Sequence, residues 1–93
     1  MPKRYVLLVA NGEFSEADIR ELSLILEGKY GKLSVIPVQR NTHAVIVKTT
    51  NTVAPYLQET SGQLHLGEKR IAAVSTSGSI GKLKSIASGS RQR

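Results

Sequence analysis

The spacing of apolar positions divides the chain into seven stretches, each with a recognisable period. Tyr5-Val6-Leu7-Leu8-Val9-Ala10 is apolar on both alternations, the pattern of a central strand covered on both faces. After a turn at Asn11-Gly12-Glu13, Ser15 can cap a helix. Asp18 stands where a capping box needs an acceptor, and Glu16 favours the positive helix start. The spacing predicts a helix over 16–29 that turns Ile19, Leu22, Ile25 or Leu26, and Tyr30 inward, with Gly31 as a left-handed stop.

A second strand is predicted over 33–39, with Leu33 and Val35 on one face and Ile36 and Val38 on the other. Pro37 cannot donate to a ladder, which assigns this strand to an edge. Arg40-Asn41-Thr42 fits a hairpin into a strand over 43–49 whose centre, Ala44 to Val47, is again apolar on both sides. Asn51 or Thr52 opens a short helix with Pro55 in its first turn and Val53, Tyr56, Leu57 and Thr60 inward, and Ser61-Gly62 ends it. Gly67 breaks the chain before a fourth strand over 70–75. Past Gly78, the recurrence of Ile80, Leu83 and Ile86 or Ala87 predicts a third helix with Lys82 and Lys84 on its wet side.

The order strand, helix, strand, strand, helix, strand, helix fits an α/β (α+β) class of fold. The specific expectation is a ferredoxin-like βαββαβ domain over 1–87: a four-stranded antiparallel sheet, crossover helices on one face and a short C-terminal helix. Residues 88–93 read as a disordered basic tail. Leu8, Val45 and Val47 are expected on the sheet face away from the crossover helices, where a partner or the third helix would cover them.

Charge adds a polarity that the periodicity does not show. The seven basic and seven acidic side chains before Lys69 cancel, so the whole net charge of +6 lies beyond Glu68. There Lys69, Arg70, Lys82, Lys84, Arg91 and Arg93 occur with no acid among them. Such one-ended charge favours a polyanionic partner through phosphate neutralisation, although a solubilising basic tail has the same composition. Ninety-three residues allow one core and leave little room for a large enclosed active site. With no cysteine there is no disulfide, thiolate metal site or thiol nucleophile, which agrees with a reducing cytoplasm. The apolar run 5–10 is too short for a bilayer span or a signal-peptide core, so a soluble, cytoplasmic protein is expected with no membrane contact.

Ser75 to Lys84, STSGSIGKLK, is the stretch that carries candidate chemistry. Ser77-Gly78-Ser79 joins a strand to a helix and can offer backbone N–H groups, two hydroxyls and a helix start to one phosphate. An ordinary glycine turn with Ser79 as N-cap accounts for the same residues. Lys82 and Lys84 add charge within about a turn. Lys3 and Arg4 begin the first strand, and Lys69 and Arg70 begin the last. Antiparallel pairing of these strands would place the two basic pairs at opposite ends, as two phosphate-binding patches or as solvated strand ends.

Lys3-Arg4-Tyr5-Val6-Leu7-Leu8, Tyr30-Gly31 and Val74-Ser75-Thr76-Ser77-Gly78-Ser79-Ile80, followed by Lys82-Leu83-Lys84, resemble the ribonuclease P protein component 2 family of archaea and eukaryotes. In that family the first strand begins with Arg-Tyr, the first helix ends at a Gly, and the last strand runs into Ser-Gly-Thr-Ile before a basic helix. Here Ser79 stands in place of the Thr, keeping a hydroxyl. The chain is also shorter than typical members. The resemblance implies a non-catalytic, RNA-binding subunit of the ribonucleoprotein that removes the 5′ leader from precursor tRNA, with catalytic metal ions held by the RNA. It also implies other protein subunits as partners, the barrel-shaped one especially, and self-association as a homodimer.

Other chemistry is sparse. The third strand has no aromatic residue and the first only Tyr5, which disfavours base stacking on an open sheet and favours backbone and shape contacts. His43 and His65 have no Asp or Glu at metal-ligand spacing, so neither a metal nor another cofactor is expected. Ser79 and Lys82 match Ser-x-x-Lys by spacing alone, and Gly78-x-x-Gly81 echoes a KH loop equally weakly. No nucleophile, base and orienting group assemble into a catalytic set. The competing assignment is a ferredoxin-like regulatory or small-ligand-binding domain, which leaves the basic C-terminal segment without a role.

Overall fold

In the computed structural model the protein is described over residues 3–38, 41–59 and 64–89. Its elements are β1 (Lys3–Ala10), α1 (Glu16–Tyr30), β2 (Ser34–Pro37), β3 (Ala44–Thr50), α2 (Ala54–Glu59), β4 (Leu64–Leu66), β5 (Lys69–Ser77) and α3 (Ile80–Gly89). The strands form one antiparallel five-stranded sheet in the order β2-β3-β1-β5-β4. β1 lies at the centre, as its two-sided apolar pattern predicts, and β2 with Pro37 lies at an edge.

β4 departs from the four-strand expectation. It pairs with β5 as a hairpin turned at Gly67, whose φ of 61° is a left-handed conformation that glycine adopts without a Cβ penalty. His65 and Leu66 carry too short an alternation to announce a strand, although Leu66 is buried against the main core. The second departure is in β5. Leu7 pairs with Ser75 and Leu8 with Ala73, so Val74 is an extra residue in β5 and is left exposed. The bulge reverses the alternation beyond it: Ile71, Ala73 and Thr76 face one side of the sheet, and Ser75 and Ser77 the other.

Two cores sit on the two sheet faces. Val6, Leu8, Val45, Val47 and Ile71 pack with Leu22 and Leu26 of α1, and Ala54 and Leu57 of α2. The expectation that Leu8, Val45 and Val47 would lie away from the crossover helices, under a partner or the third helix, is therefore corrected: they are wholly buried under the crossover helices. Leu7, Ala44, Ile46 and Val38 form the opposite core, into which α3 inserts Leu83. Side-chain alternation accounts for the exchange, since Leu7 and Leu8 necessarily face opposite ways.

The capping box at α1 is present. Asp18 N–H donates to Ser15 Oγ at 3.2 Å and Ser15 N–H to Asp18 Oδ2 at 3.0 Å. Leu26, not the half-exposed Ile25, completes the inward stripe. Gly31 has φ 87° but ψ −162°, so it closes α1 outside the left-handed helical region. α2 begins at Ala54, later than expected, after a turn in which Val53 N–H donates to Thr50 Oγ1 at 3.3 Å and to the Thr50 carbonyl at 3.2 Å. Tyr56 is exposed, contrary to its expected inward position, and Ala54 and Leu57 do the packing. Ser88 and Gly89 belong to α3, not to a tail, while residues 90–93, Arg40, the inward position Thr60 and the Ser61-Gly62 stop lie outside the described residues. Among the described residues, no helix is long and apolar enough to cross a membrane.

Candidate nucleic-acid interface

The antiparallel β1·β5 pairing sets the geometry of the charges. Tyr5 stands opposite Ser77 and Ala10 opposite Ile71, so Lys3 and Arg4 lie at the Ser77-Gly78-Ser79 end, and Lys69 and Arg70 at the other. The two basic pairs are separated along the strands as their positions in the sequence require.

The Lys69 end is electrostatically occupied. Lys69 Nζ bonds Asp18 Oδ2, and its stem runs across Gly12, where a Cβ would stand 3.3 Å from Lys69 Cε. The Lys69 hydrogen bond, with the Ser15 backbone N–H, holds the Asp18 carboxyl below its ordinary range. Arg70 is exposed, and its backbone is tied to the β1 exit: Arg70 N–H donates to Asn11 Oδ1 at 3.0 Å, and Asn11 N–H to the Arg70 carbonyl at 3.3 Å. Of the two cations expected to meet phosphate here, Lys69 already has a carboxylate.

The opposite end differs. Arg4 and Lys3 are exposed, and no salt bridge to either forms among the described residues. Arg4 lies across the turn: a Cβ on Gly78 would stand 3.0 Å from Arg4 Nη1, so this glycine admits the guanidinium where a side chain would crowd it. Ser79 N–H donates to Ser77 Oγ at 3.1 Å, a local turn that commits one N–H of the expected phosphate cradle. Gly78 does not need a positive φ here. Leu83 anchors α3 to the sheet, and Lys82 and Lys84 are exposed on the same helix. The structure thus brings Arg4 onto the Ser77-Gly78-Ser79 turn, while Lys3 precedes it in β1 and Lys82 and Lys84 follow in α3, which packs on the other face of the sheet. Neither β5 nor α3 contains an acid.

Beside Arg4, on the α2 face, lies an open concavity of about 540 Å³ lined by Arg4, Asn51, Ala54, Pro55, Gln58 and Thr76. Thr76 Oγ1 bonds Gln58 Oε1 and so links β5 to α2. The bulge at Val74 makes this link, because it turns Thr76 toward α2. Sequence reasoning missed Asn51, Gln58 and Thr76 as a group: the bulge leaves no periodic mark, and Asn51 reads only as a helix opener. Tyr5 is half-buried against the α3-side core, so it is not a stacking platform. His43 and His65 are both exposed.

The fold and this junction define a small antiparallel α/β domain with a basic strand-to-helix end. No family model matches the chain, and no curated protein matches it.

Proposed function

We propose that this chain is an RNA-binding protein subunit of ribonuclease P, supporting the catalytic RNA in removing the 5′ leader from precursor tRNA. The observation that carries the reading is the junction where Arg4, Ser77-Gly78-Ser79 and the basic α3 meet, without an acid in β5 or α3. Exposed cations on a rigid sheet end neutralise backbone phosphates and leave sequence unread, which suits a subunit that recognises folded RNA by shape. The family motif falls on that same junction, with Ser77 to Ile80 spanning the turn.

The order β2-β3-β1-β5 supports a ferredoxin-like reading, in which β4 is a hairpin added at the β5 edge. The partners that go with this function are the ribonuclease P RNA and the other protein subunits, the barrel-shaped one among them. The open edge of β2 is available to a homodimer. Catalysis belongs to the RNA, the isolated protein cleaves nothing, and the setting is the cytoplasm.

The test is reconstitution. The protein should stimulate leader cleavage only when the catalytic RNA and the other subunits are present, and Arg4→Ala/Lys82→Ala should lower that stimulation. Equal cleavage with and without the protein, at subunit concentrations that saturate assembly, would remove the assignment. The concavity beside Arg4 favours a second reading, a small-ligand-binding domain. Thermal stabilisation by an anionic metabolite, with no response to RNA, would put that reading first.

A further inference from the structure

The cavity beside Arg4 differs in chemistry from the basic junction it adjoins. Its lining combines one guanidinium, two primary amides at Asn51 and Gln58, one hydroxyl at Thr76, and the apolar surfaces of Ala54 and Pro55. A volume of about 540 Å³ is more than a lone phosphate needs and falls within the usual span of small-ligand sites. One cation matches one phosphodiester charge. The Asn51 amide presents donor and acceptor side by side in a plane, the arrangement that pairs with a nucleobase edge, while Gln58, whose Oε1 accepts from Thr76, offers its NH2 as donor. Pro55 and Ala54 offer apolar contact to a base face.

Two further features support a built pocket. Thr76 bonds Gln58, which ties the Gln58 side chain to β5 and limits the conformational freedom lost on binding. The bulge at Val74 is what delivers Thr76 to the α2 side.

We infer that this concavity holds one nucleotide unit: its phosphate on Arg4, its base edge on the Asn51 and Gln58 amides and its base face against Pro55. Resting on the RNA-binding reading above, the source of that unit is a single unpaired nucleotide extruded from structured RNA. The basic α3 and Lys3 hold the flanking backbone. A paired and stacked nucleotide presents neither a free Watson–Crick edge nor a free face, so the pocket discriminates bulged from continuous duplex RNA.

The experiment compares two RNA hairpins that differ only by one bulged 2-aminopurine, with adenosine 5′-monophosphate as a separate arm. Fluorescence and binding are followed for the full chain, Arg4→Ala, Asn51→Ala and Lys82→Ala/Lys84→Ala. Each variant is first checked for an unchanged thermal midpoint. We expect a preference for the bulged hairpin of about tenfold, the low end of one good base contact. Arg4→Ala and Asn51→Ala should abolish that preference, whereas Lys82→Ala/Lys84→Ala should weaken both hairpins by the same factor. Should wild type bind both hairpins equally, or the Asn51→Ala variant keep the full preference, the pocket inference is overturned while salt-dependent RNA binding leaves the function standing. If neither hairpin binds but the monophosphate shifts the Asn51 and Gln58 amide resonances in an Arg4-dependent way, the pocket stands and the RNA reading fails.

Discussion

The two ends of the β1·β5 pair carry the same residue types in different electrostatic settings. At one end Lys69 lies across Gly12 and bonds Asp18, so its charge belongs to the fold. At the other, Arg4 lies against Gly78 with no salt bridge among the described residues, and α3, which carries Lys82 and Lys84, starts two residues further on. Two basic dipeptides that look alike in sequence differ in that α1 places an acid beside Lys69. A cation is available to a phosphate only where the fold has not already matched it, and a count of lysines and arginines does not show that.

The strongest way to break the comparison is to detach α3. Leu83 is wholly buried, and Leu83→Ala should cost about 2–5 kcal/mol by urea unfolding. RNA affinity should fall with it, because the helix no longer holds its lysines at the junction. Unchanged stability would mean that α3 is not packed on the sheet.

Next comes exchange of the charges at each end. Arg4→Ala/Lys82→Ala should weaken binding to structured RNA about tenfold or more at near-physiological salt, whereas Lys69→Ala should change it by less than about twofold, measured by filter binding. Similar losses from both would erase the distinction between the ends.

A smaller effect is expected from the Asp18 carboxyl. Its folded value lies below its ordinary 3.8, mainly through Lys69 and then through the Ser15 N–H. The carboxylate therefore adds stability that is complete above about pH 4 and is lost as acid drives the pH through the lowered folded value. Thermal midpoints of wild type and Asp18→Asn should converge below pH 4 and separate above it. Parallel curves across that range would show that the Lys69 end is not electrostatically committed.

The smallest change is Gly78→Ala. Its Cβ meets only the flexible end of Arg4, so stability should move by less than about 0.5 kcal/mol while RNA affinity falls by a small factor as the guanidinium is displaced. A large loss of stability would mean that the turn itself requires glycine.

Much of the frame was legible from periodicity. The two-sided pattern of β1, the edge assignment of Pro37, the Ser15 cap and the split of Leu33 and Val35 from Ile36 and Val38 all follow from rules of period and donor chemistry, and each recurs in the fold. The separation of the two basic pairs follows from antiparallel pairing. What the sequence hid depends on long-range partners. A bulge is visible only against the strand it pairs with, so the turning of Thr76 toward Gln58 could not be read from local spacing. The Lys69–Asp18 pair joins residues 51 positions apart, and no local rule links them. Which side of β1 the crossover helices would cover is equally invisible when both alternations are apolar, and that is why Leu8, Val45 and Val47 were expected on the opposite face.

The most direct test of the account is the salt dependence of RNA binding at the two ends. Association constants for a structured RNA would be measured from about 50 to 200 mM salt for wild type, Arg4→Ala/Lys82→Ala and Lys69→Ala. At about 0.9 of a unit of log–log slope per phosphate contact, the double variant should have a slope shallower by about two, and Lys69→Ala should match wild type. Equal slopes for wild type and the double variant, or a loss for Lys69→Ala as large as theirs, would contradict the assignment of the Arg4 end as the RNA-binding surface.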